Sequence, residues 1–291
     1  MRPLILDTDI GTDVDDILAL ALVAKAKELE LIGVTTVYGD TQRRAKIARA
    51  TLNRLGLPDV PVIPGMSRPL SGRQVYWAGI EGEGIPDLEL VDISSSQSGD
   101  DFLIEVAQKY AGQLEILAIG PLTNLASAIA KSPGFVKQVK SVFLMGGAYW
   151  MENYVEHNIL CDVNAAAAVF ESGLPITAIG LDLTLRVWLE ESGLRTIRHG
   201  DPQIGDLIEN QVRNWWLFRR ITKNNPHDPL AALAMVEPDL FRFEMWDVTV
   251  SFTSLPAGLT VSSNPGKGRI RLASDVLMRS AEQAIVARLA G

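Results

Sequence analysis

The stretch "DTDIGTDVDDILAL", residues 7–20, holds five aspartates (Asp7, Asp9, Asp13, Asp15 and Asp16) in ten positions and then turns apolar. The segment "PLILDTD" (3–9) reads as a short buried strand, Gly11 permits a tight turn, and Asp15–Asp16 open a helix. A helix N-terminus favours carboxylates by a few tenths to about 1 kcal/mol each, which explains one or two acids. It does not explain five, because carboxylates about 4 Å apart repel by roughly 4 kcal/mol at an effective dielectric near 20. A divalent cation with oxygen ligands turns that repulsion into attraction. Cys and His are absent from the stretch, so calcium or magnesium suits it better than zinc. The spacing is not that of an EF-hand, whose loop closes on a glutamate at its twelfth position.

Outward from this stretch, apolar β-branched runs alternate with helical patterns. Strands are expected at 3–9, 30–37, 113–120, 139–147 and 175–182, and helices at 15–27, 41–56, 101–111, 122–131 and 163–171. Such alternation implies an α/β fold: an open, mainly parallel central sheet flanked by helices, Rossmann-like in layout. Ligands of such sheets sit beyond the carboxyl ends of the strands, so strand-end residues carry most of the functional interest. The last third reads as a long aromatic-rich helix near 204–223, a helix from about Pro229, strands at 246–253 and 269–273, and a closing helix at 274–290. The Ser-rich "DISSSQSGDD" (92–101) reads as a surface loop leading into a helix cap, and one domain spanning 1–291 is expected.

With 27 Lys and Arg against 35 Asp and Glu, the chain carries a formal charge of −8 and no basic run, which argues against nucleic-acid or membrane-surface partners. A small molecule is the expected partner. The single cysteine, Cys161, excludes an internal disulfide and reads as a small buried hydrophobe in a reducing compartment. Neither a signal peptide nor a transmembrane run is legible, so a cytoplasmic location is expected.

The stretch "LDTDIGTDVDDILAL" closely resembles the amino-terminal signature of the nucleoside hydrolases, the inosine-uridine-preferring N-ribohydrolase family. "AIGPLTNLA" (118–126), "FLMGGA" (143–148), "EHNILCDVNAAAAVF" (156–170) and "HDPLAALA" (227–234) resemble its later motifs in the same order. The resemblance implies the nucleoside hydrolase fold and calcium-dependent cleavage of the N-glycosidic bond of ribonucleosides, giving ribose and free base. It implies a calcium ion held by Asp9, Asp16, Asp228 and the backbone carbonyl of Ile119, with Asp9 as general base toward a metal-bound water. By the same similarity Asp15, Asn153, Glu156 and Asn158 grip the ribose, Met145 packs nearby, and His227 protonates the leaving base. Glu81 and Trp215 are expected at the base, Glu81 standing where many relatives carry a histidine. Asp7 reads as structural, and relatives' habits imply a homodimer or homotetramer. Two extra residues separate Asp9 from the paired aspartates relative to the commonest family form, so the match is anchored on "DDILAL".

Two rival readings remain at this level. The D-x-D of "LILDTDIGT" superficially matches a haloacid-dehalogenase-type phosphatase, but Gly11 stands where that chemistry wants threonine. A calcium-dependent ribose or nucleoside binding protein would keep the ligand residues without turnover.

Overall fold

In a computed structural model describing residues 1–291, the strands are β1 (Arg2–Thr8), β2 (Leu29–Thr36), β3 (Val62–Pro64), β4 (Leu114–Ala118), β5 (Val139–Met145), β6 (Ile176–Ile179), β7 (Phe241–Ser251), β8 (Leu259–Ser263) and β9 (Ile270–Val276). They form one sheet in the order β3-β2-β1-β4-β5-β6-β9-β7-β8. From β3 through β6 to β9 all pairings are parallel; β7 runs antiparallel to β9 and to β8 at the far edge. Leu4 and Leu6 enter one apolar cluster and Ile5 the other, as alternation along a strand covered on both faces requires.

The helices are α1 (Asp15–Lys25), α2 (Thr41–Arg54), α3 (Gly99–Lys109), α4 (Thr123–Lys131), α5 (Phe135–Gln138), α6 (His157–Cys161), α7 (Val163–Glu171), α8 (Leu181–Thr184), α9 (Glu191–Gly200), α10 (Pro202–Arg219), α11 (His227–Val236) and α12 (Met278–Ala290). The chain returns across β1 between β2 and β4, which makes a topological switch point there. Asp7 pairs with Ala118 and Ala118 with Leu144, so Asp9, Ile119 and Met145 emerge side by side from neighbouring strand ends.

The expected α/β architecture is present, with differences where local pattern was weak. β3 has only three residues and β8 is a half-exposed edge strand, so neither carried a readable apolar period. α9 buries only Leu194 and Ile197 and was not among the expected helices. The closing helix begins at Met278 rather than 274, because β9 continues to Val276 in register with Phe241. The aromatic helix ends at Arg219, where Arg220 turns left-handed with φ 55°. The helix expected from Pro229 starts at His227, so His227 and Asp228 occupy its first turn.

Candidate active site

At the switch point a cavity of about 650 Å³ opens over the carboxyl ends of β1, β4 and β5. β1 delivers Asp9, α1 delivers Asp15 and Asp16, and α11 delivers Asp228 into its wall. Carboxylate oxygens of Asp15, Asp16 and Asp228 all lie within 4.8 Å of one another, and all three residues are buried. Asp9 borders the same cavity. The resemblance divided these acids into ion ligands and a sugar ligand; in the structure Asp15 lies in one trio with Asp16 and Asp228.

Burial drives the carboxyl pKa values of Asp15, Asp16 and Asp228 well up, and repulsion among the aspartates drives them further. Asp9 is also raised by burial, opposed by the Arg44 guanidinium and by His157. Few polar groups compensate. Thr8 donates its hydroxyl to Asp16, and the Asp228 amide approaches Asp15 Oδ2 at 3.4 Å. Four acids facing one cavity, with only hard oxygen donors, fit a divalent cation.

Arg44 of α2 is fully buried beneath them. Its guanidinium donates to the backbone carbonyl of Asp9, to that of Ile10 at 3.0 Å and to that of Tyr38 at 2.6 Å, and lies 4.9 Å from the Trp77 ring centre. Sequence reading missed Arg44, because an arginine within "TQRRAKIARA" looks like one more solvated helix charge. Asp7, one turn of the strand back, is sealed inside: Oδ1 accepts from Thr35 at 2.6 Å and Asn124 at 2.7 Å. Burial pushes its carboxyl pKa up to about 7.

Glu156 caps α6: its carboxylate accepts from the amides of Asn158 at 2.8 Å and of Gly147 and Ile159 at 3.1 Å. Asn158 spends its Nδ2 on the carbonyls of Ile119 and Met145, both at 3.1 Å, which fixes its Oδ1 as the end left for a ligand. Both residues, with Ile119 and Met145, line the cavity. His227 lines it too, with Nδ1 2.6 Å from the Thr184 hydroxyl, and burial pulls its pKa down to about 4. The ring is therefore neutral near pH 7, unlike the near-neutral titrating acid that the resemblance suggested.

Trp215 lines the cavity with Arg219 5.0 Å from its ring centre. Together with Thr12 and Asp13 it also borders a second cavity of about 500 Å³ toward Glu83 and Gly84. Two expected residues lie outside the main cavity wall. Asn153 is exposed in a turn at φ 56°, with no strand or helix to aim it inward. Glu81 is buried, but its carboxylate is spent on the amides of Ala78 and Gly79, both at 2.8 Å, and on the Thr12 hydroxyl at 3.1 Å. It ties the 78–81 loop to the segment carrying the extra residues after Asp9. Tyr76, Tyr154, Trp188, Asn224 and Asn225 also line the cavity, and sequence reading named none of them, since isolated aromatics and amides give no periodic signal.

The chain is 35% identical over 273 residues to uridine nucleosidase 1 of Arabidopsis thaliana, covering 89% of this chain and 81% of that protein. It is 29% identical to a pyrimidine-specific ribonucleoside hydrolase of Escherichia coli, covering 91% of this chain and 88% of that one. Among solved structures, a plant nucleoside hydrolase superposes with a TM-score of 0.90 at 26% identity, over 100% of this chain and 99% of the other. A purine-preferring ribonucleoside hydrolase from Gardnerella vaginalis superposes with a TM-score of 0.85 at 27% identity, over 100% and 98%. No helix is long and apolar enough to cross a membrane. The inosine-uridine preferring nucleoside hydrolase profile matches residues 4–287, and with an acid-lined cavity at the switch point of its sheet the chain belongs to that family of hydrolases.

Proposed function

We propose that the protein hydrolyses the N-glycosidic bond of ribonucleosides to ribose and free base in a calcium-dependent reaction. The observation that carries this reading is the buried meeting of Asp15, Asp16 and Asp228 beside Asp9 in a cavity with room for a nucleoside. Asp9, Asp16, Asp228 and the Ile119 carbonyl would hold the ion, with Asp15 close enough to join them or to take a sugar hydroxyl. The ion supplies positive charge that eases deprotonation of the attacking water and draws in the vicinal hydroxyls of the sugar.

The chain's own groups account for the rest. Asp9 is the carboxylate that takes the proton from water, and Arg44 behind its backbone holds it in place. Asn158 Oδ1 and the remaining lone pair of Glu156 accept hydrogen bonds from ribose hydroxyls. The ring of carboxylates stabilises the positive charge that develops on the sugar as the bond to the base lengthens. His227, a neutral ring tied at Nδ1 to the Thr184 hydroxyl, faces the departing base from the cavity wall. Trp215 supplies an apolar wall for the base.

Uridine nucleosidases and a pyrimidine-specific hydrolase among the relatives support a pyrimidine ribonucleoside as substrate, and a purine-preferring structural neighbour shows that this scaffold also takes purines. The test is a panel of ribonucleosides and deoxyribonucleosides assayed for reducing sugar, with and without chelator. Ribonucleosides alone should release sugar, and only with metal. Calorimetric binding of nucleoside with no base released over hours would favour a binding protein instead.

A further inference from the structure

His157 opens α6 between Glu156 and Asn158, the two residues assigned to the sugar, and lines the same cavity. Glu156 turns back onto the cap amides and Asn158 onto the carbonyls of Ile119 and Met145, whereas His157 is exposed. Its ring meets that of Tyr76 edge-on, with centres 6.1 Å apart at 87°, and Tyr76 is likewise an exposed part of the cavity wall. Nε2 lies 3.5 Å from Sγ of Cys161, one helical turn on, and Nδ1 has no hydrogen-bond partner in the protein. The pair is fixed from behind: Cys161 is hydrogen-bonded to the Tyr38 hydroxyl, which accepts from the Tyr76 amide at 2.8 Å.

A nucleobase that departs from a sugar takes an electron pair with it, and a proton supplied to the base lowers that barrier. His227 is a poor source of it, because burial holds its pKa down at about 4. His157 is the other histidine in the cavity wall, and it differs in two respects. Solvent reaches it, so a proton given up in one turnover is replaced before the next. It also stands near two carboxylates: burial raises the carboxyl pKa of Asp9 and of Glu156, and attraction to a charged His157 ring opposes the rise at each. The other titratable groups around it are the Cys161 thiol, the Tyr38 and Tyr76 hydroxyls, and the Arg73 guanidinium, whose charge acts on Cys161. An ion at the acids would draw the sugar diol to the floor of the cavity, which leaves C1′ and the base toward the rim that His157 and Tyr76 form.

We propose that His157 is a catalytic residue, the general acid that delivers a proton from the exposed rim of the cavity to the departing base. The C1′–N bond breaks with its electron pair passing into the base, and the base takes a ring proton from His157. The water oxygen bonds to C1′ as Asp9 takes its proton, and solvent then reprotonates His157. This inference rests on the nucleoside-hydrolase reading above and adds to it the source of the leaving-group proton.

The experiment compares kcat/KM for uridine and for 4-nitrophenyl riboside, whose leaving group departs as a stable anion without a proton, in the wild type, His157→Phe and His157→Gln. His157→Phe should lose about a hundredfold on uridine and less than about threefold on 4-nitrophenyl riboside. His157→Gln keeps hydrogen bonding but has no proton to transfer, so it should lose as much on uridine. The ratio of wild type to either variant on uridine should shrink as pH rises and the imidazolium is depleted; ionisation of the substrate cancels in that ratio. Ratios between substrates on one preparation are independent of the fraction folded, so a destabilised variant still gives an answer. Equal loss on both substrates, wild-type turnover of uridine by either variant, or a wild-type-to-variant ratio constant with pH overturns the proposal. A wild type that releases sugar from no riboside would instead sink the underlying hydrolase reading, and this inference with it.

Discussion

The guanidinium of Arg44 donates a hydrogen bond to the backbone carbonyl of Asp9, so the residue assigned to take a proton from water is held from behind by a fully buried cation. The same side chain reaches the carbonyls of Ile10 and Tyr38, joining the end of β1 to the start of α2. Replacing it by methionine keeps much of the volume but strands three buried carbonyls, each costing about 1–3 kcal/mol. Arg44→Met is expected to lose at least about 3 kcal/mol of stability in denaturant unfolding and nearly all activity. Arg44→Lys should restore little, because an ammonium cannot span acceptors spread around a planar fork. A variant of wild-type stability would show that the contact is incidental.

The acid trio predicts opposite effects of one substitution in two conditions. Without divalent cation, Asp16→Asn relieves repulsion from Asp9 and Asp15, so the stripped variant should melt at or above the temperature of the stripped wild type. With calcium at about a hundred times its Kd, wild type should gain about 2.7 kcal/mol and the variant far less. Thermal melts with and without calcium check both halves. A variant that gains as much from calcium as wild type would exclude Asp16 from the ion's ligands.

His227 gives a pH prediction whose sign follows from burial. Its folded pKa, about 4, lies below the ordinary 6.5, so its contribution to stability is fully present above pH 6.5 and is lost as pH falls from 6.5 toward 4. His227→Gln should therefore flatten the decline of stability across that window. The same shift makes the neutral ring the working form, so kcat of the wild type should show no inflection attributable to His227 between pH 6 and 8. An inflection in that range that disappears in His227→Gln would restore an imidazolium acid.

Asp7 behaves in the opposite sense. Its folded pKa of about 7 stands above the ordinary carboxylate value of 3.8, so the folded state holds the proton more tightly and stability falls as pH rises from about 4 to about 7. Asp7→Asn keeps an oxygen for Thr35 and Asn124 and removes the charge. In metal-free protein it should be more stable than wild type at pH 8 and close to it at pH 4. The comparison is made by urea unfolding at the two pH values; equal differences at both would mean that Asp7 does not titrate there.

What the sequence made legible follows from where signals are local. The acids of residues 7–16 lie on one strand–turn–helix unit, so type and spacing expose Asp9, Asp15 and Asp16 without any tertiary knowledge, whereas Asp228 in "HDP" was named only by the family resemblance. The same resemblance named Glu156 and Asn158, which share one short capped helix start. Arg44 was invisible because its role depends on a contact with the Asp9 carbonyl that no periodicity encodes. Glu81 and Asn153 were drawn toward the substrate by motif position alone. One is consumed by backbone amides and the other faces solvent, which only the fold of the two loops decides.

The most direct measurement is base release from uridine by chelator-stripped protein as calcium is added back. The account predicts negligible release from the stripped enzyme, saturable recovery with one calcium per chain, and no recovery in Asp9→Ala at any calcium concentration. Full activity in stripped protein, or recovery in the Asp9→Ala variant equal to that of wild type, would contradict it.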